Sequence, residues 1–125
     1  METKQILETA VKALDKKKAK ELSAIKVADL TVLTEYFVIA TATSSTHVRA
    51  LADEVEDALA DAGLEPHHIE GRTTGWIVID YASVIVHIFS RDQREFYGLD
   101  KMWSDGEPID LSSIIDVDTE DNDEK

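Results

Sequence analysis

The chain has 125 residues, 43% of them apolar, which suits one domain with its own core and is too short for two ordinary ones. It carries 26 acids against 13 bases, a net charge of −13, so binding nucleic acid as the main activity is disfavoured and a basic partner is favoured. There is no cysteine, which excludes disulfides, thiol nucleophiles and cysteine-ligated metal centres and fits a reducing cytoplasm, and no apolar run approaches the roughly 18 residues of a membrane span.

The start, METKQILETAVKAL, is amphipathic and carries acids, unlike a signal peptide. Residues 3–20 read as a helix: Thr3 can cap, and Ile6, Leu7, Ala10, Val11 and Leu14 recur at helical spacing. KKKAK at 16–20 places cations at its far end, where the helix dipole favours them. A contact with RNA is the sharper reading of those lysines. Residues 24–30 alternate as a short strand, and EYFVIATAT at 35–43 is β-branched and aromatic, a buried strand. The best-marked helix follows, with Ser44 or Ser45 as cap. Val48, Leu51, Ala52, Val55, Ala58, Leu59 and Ala62 form its apolar stripe, and Gly63 its stop. PHHIEGR at 66–72 is a short strand, then come strands at 76–82 and 84–89. Ser90 and Gln93 have capping-box spacing, so a helix should begin at Arg91, with Gly98 weakening it. IDLSSII, after Pro108, offers one more apolar patch. The last stretch, 116–125, holds six acids and one lysine and reads as a solvated, disordered tail, with docking onto a basic surface as the alternative.

Strands 76–82 and 84–89 are so close that a tight antiparallel hairpin is the natural connection. With Ala82-Ser83 as its loop, Asp80 opposes Ile85, Val78 opposes His87 and Trp76 opposes Phe89. One face is then Ile77, Ile79, Tyr81, Val84, Val86 and Ile88, a clean core face. The other is Trp76, Val78, Asp80, Ile85, His87 and Phe89, with Asp80 diagonal to His87 and near enough to pair. That mixed face is either a satisfied Asp–His pair under a helix, with Trp76 packing, or a partner-binding surface anchored by aromatics.

Catalytic signals are weak. His67 and His68 are adjacent on a strand and point to opposite faces, so one metal cannot easily use both. Ser44, Ser45, His47 and Asp80 lack a nucleophile elbow. There is no phosphate-binding glycine motif, and no paired acids on a strand to hold magnesium. Gly71 and Gly75 flank RTT and should shape a turn.

Three blocks, YFVIATATSSTHVRALADEVED, IEG and GWIVIDYASVIVHIFSRDQREFYGLDKMW, resemble the ribosomal silencing factor (Iojap) family over roughly residues 1–104. Departures are Glu35 for the usual Asp, Ala42 and Ala82 for Gly, Asp100 for Glu and Met102 for Leu; Ala82 makes a positive-φ turn less comfortable than Gly would. The resemblance implies an α/β fold: a single domain over 1–115, a mixed sheet of about five strands with flanking helices, nucleotidyltransferase-like without that catalytic motif. It implies no enzyme activity, cofactor or metal. It implies binding to protein fourteen of the large ribosomal subunit at the intersubunit face, a steric block to the small subunit, and repression of translation under nutrient limitation. It also implies a part in late assembly of the large subunit and a homodimer when free; a peripheral contact with ribosomal RNA rests on the KKKAK lysines, and a cytoplasmic location on the absence of cysteine. Carried over by position, the contact residues are Trp76, Asp80, Tyr81 and His87, then Glu70 and Tyr97, although the register puts Tyr81 on the core face. The competing reading is a divergent nucleotidyltransferase-like enzyme using Asp80 with magnesium; the missing second acid argues against it.

Overall fold

The computed structural model of the protein describes residues 1–71, 75–92, 94 and 105–115. Helix α1 (Thr3–Lys16) opens with Glu2, not Thr3, at the cap: the Glu2 N–H donates to Gln5 Oε1 at 3.0 Å. It buries Ile6, Leu7, Ala10, Val11, Ala13 and Leu14. It stops at Lys16, short of the expected residue 20, because Lys18 turns into the left-handed region at φ 64°. There the Lys18 N–H donates to the Asp15 carbonyl at 2.9 Å and the Ala19 N–H to the Leu14 carbonyl at 3.0 Å, the paired bonds of a Schellman stop.

Strand β1 (Lys20–Lys26) and strand β2 (Tyr36–Ala42) pair antiparallel. β1 therefore lies earlier than the alternation over 24–30 predicts. Its length is set by its partner, running from Lys20 opposite Thr41 to Lys26 opposite Tyr36. Beyond that, Leu30 and Thr31 donate to the Val27 carbonyl and the ladder gives way to a turn. A bulge between Lys20 and Ser23 leaves Glu21 at φ 46°.

Helix α2 (Ser45–Asp61) starts at Ser44, whose side chain accepts from the His47 N–H at 3.0 Å, and Gly63, at φ 91°, follows its end. Strands β3 (His68–Glu70), β4 (Trp76–Asp80) and β5 (Val84–Ser90) come next, and Arg91, Asp92 and Arg94 are helical. Gln93, Tyr97, Gly98 and the tail at 116–125 lie outside the described residues. Among the described residues the sheet has six strands, in the order β3-β4-β5-β2-β1-β6, where about five are expected. The extra one, β6 (Glu107–Pro108), pairs antiparallel with β1. Two residues, one of them a proline, carry no strand signal, and a proline is tolerated only at such an edge. Among the described strand pairs only β2 and β5 run parallel.

α1 and α2 cover one sheet face, where Val38, Ala40, Ile77, Ile79, Tyr81, Val84, Val86 and Ile88 join their apolar stripes in the main core. Ile109, Leu111, Ile114 and Ile115 pack against the same core. Ile25, Val27, Phe37, Ile39 and Phe89 make a second cluster, on the other face. No described helix is long and apolar enough to cross a membrane.

Candidate functional site

The β4–β5 hairpin has the even-loop register: Trp76 opposes Phe89, Val78 opposes His87 and Asp80 opposes Ile85. The face of the sheet opposite α1 and α2 therefore runs in rows. One row is Phe37, Ile85, Asp80 and His68; the next is Ile39, His87, Val78 and Glu70; the third is Thr41, Phe89 and Trp76. Exposure grades along these rows. Ile39, Thr41 and Phe89 are fully buried, Trp76, Val78, Asp80 and Ile85 are half-buried, and His68 and Glu70 at the β3 edge are exposed.

His87 is the centre of this face. The Trp76 indole N–H donates to its Nδ1 at 3.2 Å. Its ring lies edge-on to Phe37, with centroids 4.9 Å apart, and parallel to Phe89 at 6.1 Å. Trp76 in turn stacks on Phe89 at 5.0 Å. Only 7% of His87 is exposed, and burial pushes its pKa down to about 4, so the ring is neutral near pH 7. Because Nδ1 accepts, the remaining hydrogen sits on Nε2. Nε2 is buried and has no hydrogen-bond partner among the described residues. A buried donor left without a partner costs about 1–3 kcal/mol.

The expected Asp80–His87 pair is not formed. Asp80 Oδ1 instead accepts from the Ala82 N–H at 2.7 Å and shapes the hairpin turn, in which Ala82 adopts φ 71°. The backbone donor two residues on is within easy reach of a short carboxylate, whereas the longer Trp76 indole spans the gap to His87. Tyr81, expected as a contact, is buried in the main core at 3% exposure. Its hydroxyl has no hydrogen-bond partner among the described residues, and burial, with Glu56 and Glu65 nearby, pushes its pKa up. A strand-end position does not carry it to the surface. Glu70 is exposed and accepts from His68 Nε2 at 2.6 Å. Tyr97 lies outside the described residues.

Two further groups tie this end of the sheet together. Arg94 donates to the Glu21 carbonyl at 2.6 Å and to Thr41 Oγ1 at 2.8 Å, satisfying the bulge in β1. His47 accepts the Thr43 N–H on Nδ1 at 2.9 Å, and its Nε2 reaches the Lys17 carbonyl at 2.8 Å. Neither long-range tie has a sequence signal, because the Glu21 and Lys17 carbonyls are backbone groups distant in the chain.

This arrangement orders aromatic surface; among the described residues it does not gather a nucleophile, a base or paired acids. The model of the family described as "Ribosomal silencing factor during starvation" matches residues 1–125. A curated relative from Halalkalibacterium halodurans, named ribosomal silencing factor RsfS, is 32% identical over 116 residues, covering 92% of this chain and 99% of its own. A mouse relative named mitochondrial assembly of ribosomal large subunit protein 1 is 28% identical over 102 residues, 78% of this chain and 45% of its own. A crystal structure of a Chromobacterium violaceum protein superposes with a TM-score of 0.81 at 30% identity, covering 83% of this chain and 88% of its own. The chain belongs to the ribosomal silencing factor family, whose members are regulators and not enzymes.

Proposed function

We propose that the protein binds protein fourteen of the large ribosomal subunit at the intersubunit face through the Trp76 end of the sheet. It thereby blocks joining of the small subunit and represses translation when nutrients are short. The observation that carries this reading is the half-buried Trp76, held by His87 and Phe89 and standing between a buried aromatic centre and an exposed strand edge. A fixed, partly desolvated aromatic beside polar groups is the kind of anchor that dominates protein interfaces. The net charge of −13 favours a basic partner, as ribosomal proteins generally are. No chemistry is needed, only a folded body in the path of the small subunit. A cytoplasmic location and a homodimer when free go with this reading. The mouse relative's name supports a part in large-subunit assembly.

Sedimentation of the protein with purified subunits tests it. The protein should travel with isolated large subunits and lower the yield of joined ribosomes when small subunits are added. A protein that stays at the top of the gradient would remove the reading.

A further inference from the structure

KKKAK at 16–20 puts four lysines and no acid into a chain with 26 acids and 13 bases. All four lysines are exposed. Lys16 lies 3.3 Å from Glu54, yet its side chain remains 71% exposed. Lys17, Lys18 and Lys20 make no ion pair among the described residues. The α1 dipole accounts for Lys16, in the last turn, but its influence fades beyond that turn. Lys18 occupies the left-handed position after the helix, at φ 64°, where glycine is the default and a side chain is strained. Lys20 opens β1. Helix formation explains neither.

His47 donates from Nε2 to the Lys17 carbonyl at 2.8 Å, which fastens the turn to the start of α2. The first turn of α2 contains no acid, and Ser45, Thr46 and Arg49 there are exposed. Lys20 opposes Thr41, and Thr41 shares a cross-strand row with Phe89 and Trp76. The lysines and the Trp76 anchor therefore occupy the same end of the sheet.

We propose that this lysine turn is a contact for the RNA phosphate backbone, engaged once the Trp76 face has docked; it rests on the docking reading above. Exposed ammonium groups on a fixed turn, beside serine and threonine hydroxyls, are the group types that position a protein on phosphates without reading sequence. The net charge of −13 opposes recruitment of any polyanion from a distance. Screening confines a surface charge to roughly 8 Å at physiological salt, so the lysines act at contact only. They set the orientation of a protein already held by its partner.

The experiment measures affinity for two targets over about 50–300 mM salt: protein fourteen purified free of RNA, and intact large subunits. The triple variant Lys17→Gln, Lys18→Gln, Lys20→Gln should match the wild type on the isolated protein. On subunits it should bind about tenfold more weakly at low salt, with a log–log salt slope shallower by about 2, as expected for three lost phosphate contacts. Lys18→Gly should melt about 3 °C higher, because the strain is relieved, and still bind subunits less well. Equal losses on both targets would assign the lysines to a protein surface and overturn the proposal. No loss on either would leave them as a helix stop and also overturn it. Failure of the wild type to bind subunits would overturn the docking reading itself, a different result from a triple variant that binds as well as the wild type.

Discussion

At the scale of single residues, Trp76 and His87 form one unit and separate variants divide their roles. Trp76→Ala removes the stack on Phe89 and the donor to His87. Binding to protein fourteen should weaken by more than about 1 kcal/mol, roughly fivefold, in a variant shown by melting to be folded. Trp76→Phe, which keeps the stack and loses only the N–H, should weaken it less. An unchanged affinity for Trp76→Ala would return the residue to simple packing. His87 predicts a pH dependence of stability. In the unfolded chain its imidazole takes a proton near the ordinary 6.5, but in the folded chain only near 4, because of burial. Between those values the unfolded state holds more protons, so stability is full above about pH 6.5 and falls as the pH drops towards 4. The loss amounts to about 3 kcal/mol. His87→Phe fills the site without a titrating group. Urea denaturation of the two proteins from pH 7 to 4 should show the wild type losing stability faster, and parallel curves would defeat this account.

At the scale of elements, the β4–β5 turn gives a stability test. Ala82 holds φ 71°, a region glycine enters without cost, and Asp80 anchors the turn by accepting the Ala82 N–H. Ala82→Gly should raise stability by about 0.5–1 kcal/mol in chemical denaturation, whereas a loss would show that the turn gains more from the β-carbon than it spends on strain. This hairpin was also the most legible part of the sequence. Only an even loop puts Ile77, Ile79, Val84, Val86 and Ile88 on one face, so period-2 patterning determined both register and core. α2 was legible for a similar reason: its cap, stripe and glycine stop agree. The end of α1 was not, because its stop lacks the usual glycine and uses Lys18 instead. β1 was displaced because its limits come from its partner strand, and β6 was invisible because it is an edge pairing of two residues. Face assignment brought Asp80 and His87 to the same side of the sheet, but pairing depends on which acceptor each side chain reaches. There the backbone N–H of Ala82 and the indole of Trp76 prevailed.

At the scale of the whole molecule, charge and shape make separate contributions to recognition. The chain carries −13 overall, and its exposed lysine turn is a local exception. Long-range fields add over the whole surface, while contact energies come from a few anchored side chains. Encounter with a basic ribosomal protein should therefore be accelerated by the acidic body, and residence should depend on Trp76 and its neighbours. These contributions separate kinetically. Between about 20 and 300 mM salt, the association rate constant for isolated protein fourteen should fall by about tenfold or more, and dissociation should change little. Trp76→Ala should do the reverse, with dissociation faster and association nearly unchanged. Stopped-flow mixing at several salt concentrations reads both rates. An association rate that stays flat with salt would mean that the partner surface is not basic where the acidic body meets it. A salt effect confined to dissociation would place the charged groups inside the contact. If both expected patterns appear together, the acidic body brings the partner in and the aromatic end of the sheet holds it.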